Sequence, residues 1–411
     1  MLKSILLLIL SALFLTSCFR WAARAVDQLP EETALEKHYD YSGKVIVIGA
    51  GASGLAAAKI LEQNKVDYTI LEATDRYGGR LKKDSTLADF PIDLGAEWIH
   101  SHPKVLNVIK GKKGSEIEEE LIPYKLERAA RWNGKNLKMV SSSYMNFIYK
   151  FLPESKFKNS TWYDFVNKNI ATEVKDNIVY NAAVNSIDYS GDKVLVRTNG
   201  GKTYKADKVL VTVSIGVLKS NQIIFNPALS DEKKKAIESI TFHPGFKVAL
   251  KFTEKFYPDA INCKVSNGEK VYYDVAFKKE KKSNILGFLC TGDASQYYYG
   301  LSSKENIISS LINELDAMFD GKASKFYTGE YLFEDWGQYE YTLGTWTKAF
   351  IEKSSHLKVL RQPLRNRVYF SGEIYDKYRQ MGVPGAILSG YDSVNEMLQL
   401  VTNKSTFDRQ K

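Results

Sequence analysis

The chain is poor in cysteine and histidine: 411 residues carry three of the first and five of the second, and none falls at metal-ligand spacing. No metal centre is therefore expected. A GxSxG-type turn presenting a nucleophile is also missing, which removes serine-hydrolase chemistry of that kind. No internal repeat or low-complexity block interrupts the chain. The lysine runs Lys233 to Lys235 and Lys278 to Lys282, the second broken by Glu280, lack interleaved aromatics. They predict solvated surface and no nucleic-acid partner.

What is present is ordinary globular material. An apolar content of 44% over this length supports two domains with separate cores, under a formal charge of +9. The N-terminus stands apart: Lys3 precedes the apolar stretch Ile5 to Leu15, which is too short to span a bilayer comfortably and predicts an export signal within residues 1–25. Leu15-Thr16-Ser17-Cys18 resembles the lipobox of bacterial lipoproteins, which would acylate Cys18 and anchor the chain to a membrane. Cleavage after Ala23-Arg24-Ala25 is the alternative, giving a secreted protein. Cys263 and Cys290 would then remain, and their pairing in an oxidising compartment is left open.

Residues 44–80 are the most informative segment. The β-branched run Val45 to Ile48 leads into Gly49, Gly51 and Gly54, then a helical stretch and a second strand that closes at Glu72. The glycines permit a tight turn, close approach to a pyrophosphate, and packing of the helix on its sheet. The helix N-terminus, beginning near Ser53, faces phosphate. Glu72 is placed to accept hydrogen bonds from a ribose, and Arg80, after Gly78-Gly79, offers a fork for a second phosphate. Strand, turn, helix, strand and acid in this order predict an adenine-dinucleotide site.

Residues 101–180 suggest several short helices rather than a sheet. Alternating strands at Lys193 to Arg197 and Lys208 to Val213, around Asn199-Gly200-Gly201, read as a hairpin. FKVALKF at 246–252 alternates with period two, and Val271 to Phe277 and Ile285 to Cys290 extend an antiparallel sheet. A helix is predicted over Ile307 to Phe319, a buried strand at Val368 to Phe370, and a last helix from Pro384.

Taken together, LEATDRYGGR (71–80), DLGAEWIH (93–100), VTVSIGVLK (211–219), FKVALKF (246–252), the Trp336 to Trp346 spacing, and FSGE (370–373) with MGVPGAILSG (381–390) resemble the FAD-dependent amine oxidases, closest to their polyamine oxidase and histone demethylase branch. The resemblance implies an α/β fold: a Rossmann-like FAD-binding domain, discontinuous over 40–100, 180–245 and 363–403. A second, α+β substrate domain on a mainly antiparallel sheet would take 101–179 and 246–362. It implies noncovalent FAD held by Gly49, Gly51, Ser53, Gly54, Glu72, Arg80, Glu97, Trp98, Val184, Trp336, Gly372, Glu373, Gly382 and Val383.

Lys247 matches the lysine that holds a water beside the flavin, although a solvent-facing lysine on an amphipathic strand is the plainer alternative. His100, Glu97 and Trp346 fall at substrate positions, Trp346 as one aromatic wall. Where some relatives place a facing tyrosine the chain has Met381, so Tyr375 or Tyr378 would have to substitute. Two departures stand out: a substrate region shortened to about eighty residues before the second hairpin, and Thr74 in place of an adenosine-contacting arginine. The acidic stretch Glu116 to Glu120 could offset the basic charge around an amine site.

The implied reaction is oxidation of an amine with O2 as acceptor. A desaturase or porphyrinogen-oxidase-like flavoprotein, and a non-catalytic surface lipoprotein retaining the fold, are the competing readings.

Overall fold

The computed structural model describes residues 34–112, 116–149, 154–347, 354–376 and 379–408. Residues 1–25, with Cys18, lie outside them, as does Tyr378.

A five-stranded parallel sheet forms the nucleotide side. Its order is Ile178–Val179, Asp67–Leu71, Lys44–Ile48, Lys208–Val211, Val368–Phe370. The central strand is a continuous apolar run because both of its faces are covered. Val45 and Val47 pack into one core with the helices Ala52–Gln63 and Val383–Asp408, while Ile46 and Ile48 enter a second core under a four-stranded sheet. The two helices touch closely, for a Cβ on Gly390 would come within 2.4 Å of the Ser53 carbonyl.

The second half rests on a seven-stranded sheet ordered Tyr327–Asp335, Gly245–Phe252, Ile285–Thr291, Lys270–Asp274, Ala260–Cys263, Ala129–Trp132, Leu137–Met139. It is antiparallel except between Ala260–Cys263 and Ala129–Trp132. The helix Lys304–Phe319 covers one face, packing Leu311 and Leu315 against Phe246, Val248 and Leu250. The opposite face carries Lys247 and Ala249.

Two expectations are corrected, and one question left open is answered. Residues 101–180 hold more than helices: Leu121–Pro123 and Ser155–Phe157 join Trp98–Ile99 in a three-stranded sheet, and Ala129–Trp132 with Leu137–Met139 extends the large one. These strands are two to four residues long, too short for a period-two pattern to show. The hairpin partner of Val194–Thr198 is Thr203–Ala206, whereas Lys208–Val211 joins the parallel sheet beside Lys44–Ile48. Alternation had marked strands but could not choose partners.

Finally, Cys263 and Cys290 do not pair. The registers put Lys270 on the strand between them, opposite Cys290 and next to the Asn262–Val271 pair. Two inter-strand steps separate the cysteines by about 10 Å, beyond the ~7 Å that a disulfide spans, and both are free.

Candidate active site

A continuous cavity of about 1860 Å³ takes its lining from both halves. A drug-sized ligand fills roughly 300–1,000 Å³, so this space accommodates one long molecule and a second small one.

At one end the lining is backbone. Gly49 has φ +101°, and a Cβ on Gly54 would stand 1.9 Å from the Gly49 carbonyl, so both positions require glycine. A Cβ on Gly51 would meet no protein atom: its hydrogen faces the cavity. Gly51 also caps the helix Ala52–Gln63 without any side-chain hydrogen bond, leaving the first-turn amides for an anion. Glu72 is buried, accepting from Ala50 N at 2.7 Å and from Thr74 N and Oγ1 at 3.0 and 2.9 Å. Thr74, the departure noted in the sequence, thus orients the acid. This cradle fits the pyrophosphate and ribose of a dinucleotide.

Two segments close the cradle. Arg80 is not left as a bare phosphate fork: it forms an ion pair with Glu373 and donates to the Thr345 carbonyl. Ser53 Oγ meets Ser371 Oγ at 2.7 Å, which meets Ser389 Oγ at 2.9 Å, all three buried. The glycine turn, the Ser371-Gly372-Glu373 stretch and the last helix are thereby fastened together. Val184, Gly372, Gly382 and Val383 line the same end, and Trp336 is fixed by a 2.9 Å hydrogen bond to the Leu94 carbonyl.

At the other end the lining is buried charge and aromatic rings. Lys247 is 3% exposed, which rules out the solvent-facing alternative. Its ammonium donates to Asp93 O at 2.8 Å, Gly95 O at 3.1 Å and Glu97 Oε2 at 2.6 Å. An ammonium has three donors, so all are engaged by the DLGAE segment, and Lys247 would reach a water only by exchanging one of these contacts. Glu97 accepts also from Tyr273 at 2.8 Å and pairs with Lys156. Burial would raise the Glu97 carboxyl, but the Lys156 and Lys247 ammoniums override it and hold its pKa at about 2. Asp93 is pushed up to about 8 by burial and by the Glu97 charge.

His100 stands at the rim, its side chain 60% exposed and its Nδ1 2.8 Å from Glu154 Oε1. Glu269 lines the same rim. Desolvation would lower the His100 pKa, but Glu154 and then Glu269 raise it above the ordinary value. Trp346 is part of the cavity lining. Tyr375 does not face it, being buried in the core behind the parallel sheet. Trp98, Tyr124 and Tyr273 add aromatic surface to the lining. Sequence reasoning missed Tyr124, Glu154, Lys156, Glu269 and Tyr273, whose partners are remote in the chain. The stretch Glu116 to Glu120 does not serve the site, because Glu118 and Glu119 pair with Lys110 and Lys112.

A dinucleotide cradle opening into a ring-lined chamber defines a protein that holds a long cofactor beside a smaller ligand. The chain belongs to the flavin-containing amine oxidoreductase family, whose model matches residues 52–159 and 160–398. FAD is accordingly its cofactor. Polyamine oxidase 1 of Zea mays is 25% identical over 460 residues, covering 88% of this chain and 91% of that protein. Probable polyamine oxidase 4 of Arabidopsis thaliana is 24% identical, with 89% of each covered. Lysine-specific histone demethylase 1B of Mus musculus is 24% identical over 87% of this chain, which spans about half (53%) of its length.

Proposed function

We propose that the protein oxidises the C–N bond of a polyamine-like or other primary or secondary amine, with O2 as electron acceptor. The observation that carries this is the continuity of the cavity, from the glycine cradle to the chamber holding Lys247, Glu97 and Trp346. Bound FAD supplies the acceptor for a hydride and its return to O2 as H2O2. The chain supplies the rest. His100, Glu154 and Glu269 gather the amine at the rim, and the aromatic surfaces shape and dry the approach. Lys247 and Glu97 fix the DLGAE segment against the cofactor. The product imine takes up water and leaves as a carbonyl compound with a shorter amine, or with ammonia where the substrate is a primary amine.

Peroxide release and anaerobic bleaching of the flavin on a panel of polyamines, monoamines and amino acids test this proposal. Silence across the panel with FAD bound would reject it, and purification without a yellow chromophore would favour a non-catalytic role. Lys247→Met is expected to keep FAD and slow flavin reduction or reoxidation by about tenfold or more; wild-type rates for both would remove Lys247 from the mechanism. Export and acylation at Cys18 belong to the same proposal, and Cys18→Ser should release the protein from membranes.

A further inference from the structure

Lys156 takes no part in the reaction outlined above. It is 2% exposed, on the central strand of the three-stranded sheet, behind the cavity lining. Its Nζ lies 5.6 Å from the Trp98 ring centroid and 5.5 Å from those of Tyr124 and Tyr273. Lys247 Nζ approaches two of the same rings, at 5.3 Å from Trp98 and 5.6 Å from Tyr273. The three rings that line the chamber therefore already serve two cations of the protein itself.

An aromatic surface attracts an ammonium through its ring quadrupole, and here that attraction is spent internally. Two ammoniums share one carboxylate, Glu97, and among the described residues no second carboxylate pairs with either, which leaves an excess of positive charge behind the rings. Asp93, pushed up to about 8, does not cancel it at neutral pH. At an effective dielectric of about 20, one such charge about 10 Å from a cationic head group on the far side of a ring weakens its binding about tenfold or more. The rim is opposite in sign, with Glu154 and Glu269 around His100.

We propose that Lys156 is a specificity-determining residue: from behind Trp98, Tyr124 and Tyr273 it sets the chamber against charged head groups, so that the reacting nitrogen is admitted uncharged. A protonated amine gathers at the acidic rim, gives its proton to water there, and enters as the free base. The identity of the head group rests on the amine-oxidase reading, whereas the charge preference needs no turnover.

The test is calorimetric titration of the FAD-loaded protein with phenyltrimethylammonium and with its neutral isostere tert-butylbenzene. Lys156→Met should bind the cation about tenfold more tightly than the wild type, with the isostere unchanged within about twofold. Lys156→Gln, which keeps a polar head toward Glu97, should show the same gain and stands in if the methionine variant does not fold. Lys279→Met removes a nearby charge whose Nζ sits over Phe90 at 5.0 Å instead of against these rings, and should change cation binding by less than about threefold. Undetectable or unimproved cation binding in both Lys156 variants, an equal gain for the isostere, or an equal gain in Lys279→Met would overturn the proposal. Absence of amine oxidation beside the expected binding pattern would strike the proposed function alone.

Discussion

At the nucleotide end the cavity is shaped by main chain: glycines without side chains, unpaired helix amides and one carboxylate held by Ala50 and Thr74 of the same strand-turn-helix-strand segment. At the chamber end it is shaped by side-chain charge brought in from afar, with Glu97 between Lys156 and Lys247, which are 59 and 150 positions away. The first kind of site fails through steric intrusion. The second fails through loss of charge balance, which costs more because a buried ion left without its partner has no water to turn to.

That contrast is broken most forcefully at Glu97. Glu97→Gln leaves two buried ammoniums facing a neutral amide, and urea unfolding should show a loss of about 3–5 kcal/mol. Without mutation, acid should do the same. The folded Glu97 carboxyl lies below its unfolded value, so its contribution is complete above about pH 4.5 and disappears toward pH 2.

The nucleotide end is sharpened by two neighbouring alanines. Gly54→Ala drives a Cβ into the Gly49 carbonyl and should lower stability by about 2 kcal/mol or more while abolishing FAD retention on gel filtration. Gly51→Ala meets no protein atom, so the apoprotein should melt as before while FAD affinity falls about tenfold or more. Equal effects of the two would merge fold and cofactor roles that the structure separates.

An effect of opposite sign is expected at Asp93. Its folded pKa, about 8, is raised, so its burial costs stability progressively as pH rises from about 4 to 8. Asp93→Asn should therefore raise the melting temperature at pH 8 and leave it unchanged at pH 4. The smallest expected effect is none: a reductant should not move the melting curve, since Cys263 and Cys290 are held on either side of Lys270.

The same division explains what the residues disclosed before the fold was known. The cradle was legible because Val45 to Glu72 encodes strand, turn, helix and strand locally, and each glycine has a steric reason in that order. Lys247 was legible only through family resemblance, since alternation alone left it facing either way. Lys156 carried no mark at all: Ser155–Phe157 is a three-residue strand, and the meaning of its lysine depends on Glu97, Trp98, Tyr124 and Tyr273 from four other strands and loops. Arg80 and Glu373 were both recognised as cofactor-side residues, but their mutual pairing across 293 positions was not, because nothing in either segment names the other.

The hydroxyl contact from Ser53 through Ser371 to Ser389 has a bearing on biosynthesis. The helix Ala52–Gln63 emerges early from the ribosome, yet the helix it packs against starts at Val383. Some three hundred residues must be translated before that apolar flank is covered, and contacts of such sequence separation form slowly. A nascent chain of this protein should depend on chaperone shielding until its closing helix arrives, and cofactor loading becomes an event at the end of translation.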